Sequence, residues 1–298
     1  MRGEKGFALV IALIVTTLLV ALLAEFVNEV YVDTSHSHNF VASQQAGVLA
    51  ESGIEGGRKL LELSSLQRGS EQYSSPLEVW AKPQSFETEN GTLTVIIEEE
   101  SGKLNLNWVV LPTGIETAFT PITRKLFENL KLSNSGTDLT SALMDWIDEG
   151  DVGAAETGYY RSLTPPYAAK NAPLETVEEL ALVKGFTPEV VAKLKPCVTV
   201  YGDIQKINVN TASKDVLLAI GLSQDKVDSI LDTRKARPIK SLAEFDIAPD
   251  VQIRLNCQGS IYRIHAEGKV GESIAVAEAV IDLTQSITGP KVLYWREY

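Results

Sequence analysis

The sequence predicts an α+β protein: a long N-terminal α-helix packed on an antiparallel sheet, with a large all-α insertion between the sheet strands. Three observations carry this reading. An uninterrupted helical pattern runs from Phe7 past Leu60. β-rich runs with alternating polarity stand at both ends of the remainder. Residues 116–256 between them read as short helices.

The opening helix comes first. Phe7 to Ala24 carries no charge, and eighteen residues rising ~1.5 Å each cover ~27 Å, enough to cross a bilayer core. Arg2 and Lys5 precede this run, which places the start in the cytoplasm and the remainder outside. A secretory signal would end in a small-residue cleavage site followed by turn formers. Here Glu25-Phe26-Val27-Asn28-Glu29 continues the helix, the next glycine is Gly47, and the first proline is Pro76. From Ala42 through Ala46, Leu49, Gly53 and Leu60 a small or apolar stripe recurs at three-to-four-residue spacing. A membrane-spanning part (7–24) therefore leads into an amphipathic part (25–68).

The short basic leader ending in Lys5-Gly6-Phe7, followed by such a helix, resembles the type IV pilin and pseudopilin family. The resemblance implies that prepilin peptidase removes residues 1–6 by cutting after Gly6 and methylates Phe7. Most family members carry a glutamate at the fifth mature position, where this chain has Ile11. Its absence is a trait of the large pseudopilin K of type II secretion. A plain single-pass anchor is the bland alternative.

The strands follow. "LQRGSEQYSS" (66–75) reads as a loop. "GTLTVIIEEESGKLNLNWVV" from Gly91 has two β-rich runs around Ser101-Gly102, a hairpin signal. "GSIYRIHAEGKVGESIAVAEAVIDL" repeats that grammar around Val270-Gly271-Glu272, and "KVLYWREY" adds a last strand. Residues 69–115 and 257–298 thus form the sheet. A helical insertion of this size between sheet strands again resembles pseudopilin K.

Inside the insertion, "ETVEELALVKGFTPEVVAKLKP" and "TASKDVLLAIGLSQDKVDSILDT" share one pattern. Each has a capping Thr or Ser, a short apolar helix, a glycine for a tight turn (Gly185, Gly221), then a second helix. Thr176 and Glu179 have capping-box spacing. These two units, near 174–196 and 207–246, read as helix-hairpin-helix-like (SAM-like). The second resembles the helix-hairpin-helix modules of DNA-uptake receptors, which makes a membrane-anchored DNA receptor of a competence system the rival function. Its hairpins argue otherwise: neither has Gly-x-Gly, and Glu189 and Asp225 would repel phosphate. The net charge of −12 also disfavours a duplex-binding surface. Lys184, Lys226, Arg234, Lys235 and Arg237 remain as a modest basic group.

"LMDWIDEGDVGAAETGYYRSLTPPY" is the most distinctive stretch. Asp145, Asp148 and Asp151 are three apart, and Glu156 follows. An oxygen-rich cluster around a turn-forming glycine suits a hard cation such as Ca²⁺. The alternative is an acidic, solvated helix end, where unpaired carboxylates would oppose the helix dipole. The spacing is not that of an EF-hand. Asp-Trp-x-Asp with the tyrosines and prolines after it resembles pseudopilin K. That resemblance implies Ca²⁺ at Asp148, Asp151 and Glu156, with Asp145 as a fourth candidate.

Cys197 and Cys257 flank the second helical unit, and export to an oxidising compartment permits a disulfide between them; two buried free thiols are the alternative. No Ser/His/Asp or Cys/His set is evident, the only histidines being His36, His38 and His265, so no catalytic role is expected. The resemblance implies a minor pseudopilin of type II secretion in a Gram-negative inner membrane, single-pass, with its globular part in the periplasm. It would cap the pseudopilus tip and start its assembly. The implied partners are minor pseudopilins I and J, other pseudopilins through the helix, prepilin peptidase, the secretin and the exported protein; nucleic acid is not among them.

Overall fold

One helix, α1 (Gly3–Arg68), organises the molecule. The computed structural model describes residues 3–132, 138–153, 155–203, 205–284 and 290–298, with the backbone alone at 3–6. Of the expected leader, Met1 and Arg2 lie outside the described residues; the Gly6–Phe7 bond falls within the first turns of α1. From Phe7 to Val41 the side chains are almost all exposed, and this is a helix long and apolar enough to span a membrane. Beyond that, Ala46, Ala50, Ile54 and Leu61 turn inward, as their spacing requires. Glu55, Arg58, Lys59 and Glu62 pair with one another on the outer face.

The helix lies on an antiparallel sheet of five strands among the described residues. They are β1 (Gln84–Thr88), β2 (Gly91–Glu99), β7 (Ile261–Val270), β8 (Ser273–Asp282) and β9 (Lys291–Glu297), side by side in that order. Val95, Ile97, Ile264, Ala266, Ala277, Ala279 and Ile281 form the sheet side of this core. Small residues on both sides let the two backbones approach closely. Gly53 sits where a Cβ would lie 2.6 Å from the Ala266 Cβ, and a Cβ on Gly268 would overlap the Ala46 carbonyl.

The β7–β8 hairpin forms as expected, with Val270 opposite Ser273 and Gly271 at φ +58°. The expected hairpin at Ser101-Gly102 does not. β2 instead pairs with β1, a strand unread in the sequence, through a tight turn at Glu89-Asn90. Gly102 lies against the backbone of Thr211, and the chain turns there into the insertion.

The insertion therefore begins near Leu104, twelve residues ahead of the expected boundary at 116. It contains β3 (Leu104–Asn105), α2 (Phe119–Asn129), α3 (Leu139–Ile147), α4 (Thr157–Arg161), α5 (Pro188–Leu194), β4 (Val198–Thr199), β5 (Ile207–Asn208), α6 (Lys214–Ala219), α7 (Gln224–Ala236), α8 (Pro249–Gln252) and β6 (Leu255–Asn256). Two short parallel pairings, β3 with β4 and β5 with β6, hold its entry and exit. A separate core of Leu106, Leu126, Leu143, Leu180, Leu194, Val216 and Ile230 fills it.

Candidate functional site

The acidic segment is built on α3. Asp138 caps that helix, accepting from the Thr140 and Ser141 N–H groups. Its buried face is Leu139, Ala142, Leu143, Trp146 and Ile147. The helix stops at Asp148, whose backbone is extended and whose Oδ1 accepts from the Gly150 N–H at 2.7 Å. That local bond competes with helix continuation. Asp145, one turn earlier, accepts from the Ala155 N–H at 2.8 Å and lies so close to Gly153 that a side chain there would strike its carboxylate.

Glu156 stands at the start of α4. Both of its oxygens are buried and have no hydrogen-bond partner among the described residues. Burial pushes its carboxyl up to about 7, and the charges of Asp145, Asp148 and Asp151 add to the shift. Asp145, Asp148 and Glu156 are all less than one-tenth exposed, whereas Asp151 is exposed. The structure thus brings the four expected ligands into one electrostatic neighbourhood. Among the described residues no three acidic, histidine or cysteine side chains converge on a single point as in a closed metal site. The donor chemistry nonetheless fits a hard cation: carboxylate oxygens only, two of them orphaned, with like charges that such an ion would offset.

Neighbouring residues hold this loop; of them the sequence reading missed Asn171 and Lys170, and it took Glu179 for a capping residue. Asn171, at φ +50°, donates its N–H to the Trp146 carbonyl and its Nδ2 to the Gly150 carbonyl. The Trp146 indole donates to Glu179 Oε1 at 3.0 Å, and Lys170 pairs with Glu179 Oε2 at 2.9 Å. The Trp146 ring meets Tyr160 edge-on at 5.0 Å and Tyr167 at 6.3 Å. Tyr160, wholly buried, accepts from the Lys184 N–H, and Tyr167 donates to the Leu182 carbonyl. The tyrosines after the acidic motif therefore join the acidic loop to the first helical pair.

That pair corrects a local expectation. Val177–Leu182 is a 3₁₀ turn, and Thr176 makes no side-chain cap; its expected partner Glu179 is the acceptor for Trp146 and Lys170. Gly185 (φ +86°) and Gly221 (φ +111°) do occupy the left-handed turns expected of them. Thr187 and Ser213 cap α5 and α6. The basic group around the hairpins has partners throughout. Arg234 donates to the Val209 and Ala212 carbonyls, Arg237 pairs with Glu244, Lys226 with Asp246 and Lys235 with Asp232, while Lys184 lies over the Tyr159 ring.

Family models describing protein K of the type II secretion system match residues 102–203 and 207–254. The chain belongs to that family. Type II secretion system protein K of Pseudomonas aeruginosa is 29% identical over 260 residues, covering 82% of this chain and 76% of the relative. The Aeromonas hydrophila protein K is 24% identical, covering 94% and 93%. A chain in the crystal structure of the GspK-GspI-GspJ complex from enterotoxigenic Escherichia coli matches with a TM-score of 0.65 at 21% identity. It covers 91% of this chain and 99% of that one, so the fold is shared.

Within this family fold the expected Cys197–Cys257 disulfide is absent: both cysteines are free and buried. The Cys197 Sγ lies 3.3 Å from the Ser213 hydroxyl at the start of α6. Cys257 follows β6, where its carbonyl accepts from the Ser74 N–H, and burial pushes its thiol up to about 11. The two sulfurs serve different packing contacts although the chain segments flank one unit. The histidines also remain apart: His36 and His38 are on α1, and His265 is in β7 beside Glu278 at 3.8 Å.

Proposed function

We propose that this chain is the minor pseudopilin that caps the pseudopilus tip of a type II secretion system and starts its assembly. One observation carries the reading: a pilin-like stem, α1 on its sheet, bears an inserted helical unit with its own core. A head widened by such a unit accepts subunits packed below it and obstructs one stacked above. Ile11 in place of the usual glutamate fits a subunit with no neighbour to pair on that side. The partners are minor pseudopilins I and J, matching the assembly named for the structural relative. Other pseudopilins pack along α1, and the secretin and exported protein lie within reach of the tip. Prepilin peptidase cleaves after Gly6 and methylates Phe7. The first third of α1 holds the subunit in the inner membrane with the head in the periplasm, and the role is structural, not enzymatic.

Ca²⁺ binds the acidic loop through Asp148, Asp151, Glu156 and Asp145. It supplies positive charge to carboxylates that otherwise repel, and thereby fixes the loop against α3. Thermal unfolding with Ca²⁺ and with chelator tests this: Ca²⁺ should raise the midpoint, and Glu156→Gln should abolish the increment. Immunogold labelling of assembled pseudopili tests the tip position; label distributed along the shaft would refute it. Mass spectrometry should find N-methylated Phe7 only when prepilin peptidase is present. The DNA-receptor alternative has little support, because the basic residues near the hairpins are engaged within the protein.

A further inference from the structure

Glu99 ends β2 and is buried at the junction of the sheet with the insertion. Its oxygens accept from Asn208 Nδ2 at 3.0 and 2.8 Å and from the Ser74 hydroxyl at 3.2 Å. Asn208 Nδ2 also lies 3.1 and 2.9 Å from the Ser74 carbonyl and hydroxyl. The Gly259 N–H donates to that hydroxyl at 2.8 Å, and a side chain at 259 would overlap the Glu99 carboxyl. Three separate parts of the chain thus meet on one acid: the connection after α1 (Ser74), the insertion (Asn208 in β5), and the return to the sheet (Gly259).

No cation pairs with Glu99 among the described residues. Its neighbour Glu100, equally buried, shows the contrast. Burial pushes Glu100 up, but Lys103 and Arg263, each 2.9 Å away, outweigh that and hold its carboxyl below the usual range. The titratable groups facing Glu99 are Glu78, whose charge adds repulsion, and the Tyr262 phenol opposite it in β7. Arg68, at the end of α1, is engaged by Glu78 and the Tyr73 carbonyl. Asn208 Nδ2 shares two protons among the Glu99 oxygens and the Ser74 carbonyl and hydroxyl, and only neutral hydroxyls, those of Ser74 and Thr211, add to it, so no donor at this carboxyl carries a positive charge.

We propose that Glu99, Asn208 and Ser74 form a proton-operated joint between the sheet and the inserted helical unit, closed when Glu99 is protonated and loosened when it ionises. Burial, partly offset by the Asn208 bond, pushes the Glu99 carboxyl up to about 7. The folded joint therefore keeps a proton that an opened one releases. Its stability falls as pH rises from the ordinary glutamate range to about 7 and is level above that.

Amide hydrogen exchange of the full-length protein in detergent micelles, corrected for intrinsic pH dependence, reads the joint directly. Between pH 5.5 and 8 the segments 72–75, 207–210 and 257–260 should lose protection by up to about 30-fold, the limit linkage sets for these two pKa values. Glu99→Gln keeps an uncharged side chain of the same shape, and its segments should show no such loss. Equal loss in both proteins overturns the proposal. Carboxyl infrared difference spectra of the Glu156→Gln protein, which lacks the other carboxyl held near 7, provide a second readout that does not depend on the Glu99 variant folding. A buried carboxyl titrating near 7 supports the joint, and none outside the ordinary carboxylate range overturns it.

Discussion

One methyl group added at three glycines, one on the exposed side of α1 and two in its contact with the sheet, should change stability with different signs. A Cβ on Gly56 in α1 would have nothing within 4 Å, so Gly56→Ala gains helix propensity, about 1 kcal/mol, at no packing cost. Gly53, three residues earlier, gains the same, but its methyl would lie 2.6 Å from the Ala266 Cβ and 2.8 Å from Leu93 Cδ1. Leu93 can rotate; Ala266 sits on the central strand and cannot. Overpacking of this kind costs about 1–3 kcal/mol, which leaves Gly53→Ala neutral to about 2 kcal/mol destabilising. Gly268 is the extreme case. Its methyl would overlap the Ala46 carbonyl and lie 2.9 Å from the Ala50 nitrogen, both backbone atoms of α1. No side chain there can yield, and a loss of about 3 kcal/mol or more is expected. Melting of the full-length protein in detergent, followed by circular dichroism, converts each kcal/mol to about 2–4 °C for a head of this size. A Gly268→Ala midpoint within a degree of wild type would refute the docking of α1 on β7.

Other substitutions probe the site. Trp146→Phe keeps an aromatic ring but leaves Glu179 without its indole donor, and a loss of about 1–2 kcal/mol should appear in urea unfolding. In chelator, Glu156→Gln should melt higher than wild type. It should also lessen the decline in wild-type stability between the ordinary glutamate range and about pH 7, leaving the share carried by Glu99, since the raised carboxyl favours the folded state only while protonated. Cys197 and Cys257 should resist thiol reagents until denaturant is added, because burial raises both thiols, and reductant should leave the melting temperature unchanged.

The fold was legible wherever a pattern repeated. α1 announces itself by length and by its small-residue stripe, and the β7–β8 hairpin by alternation around Gly271. Strand β1 escaped because it is short and almost wholly exposed, so it carries no alternation of buried and exposed positions. The false hairpin at Ser101-Gly102 has a physical cause as well. β-rich runs with a glycine between them match a hairpin locally, but Leu104 and Asn105 pair with Val198 and Thr199, nearly a hundred residues away. The disulfide expectation failed for a related reason. Flanking the same unit in sequence does not set where a side chain points, and Cys197 packs on Ser213.

The acidic residues themselves could be found by spacing, since Asp145 and Asp148 are a helical turn apart and Gly150 marks the turn. Their support could not. Glu179 looked like a capping residue, yet it receives the Trp146 indole from 33 positions upstream. That contact changes how the loop should behave. Trp146 follows Asp145 directly, and its carbonyl is held by Asn171, which also holds Gly150. Glu179 is tied to Lys170 one residue before Asn171. The carboxylates and the first helical pair therefore form one packed body. Repulsion among Asp145, Asp148 and Glu156 acts on that whole body, and anything that neutralises it, a proton or a divalent cation, should protect amides in 177–194 as well as in the loop. Exchange protection gained at the loop alone, with 177–194 unchanged, would show that the Trp146–Glu179 link transmits nothing.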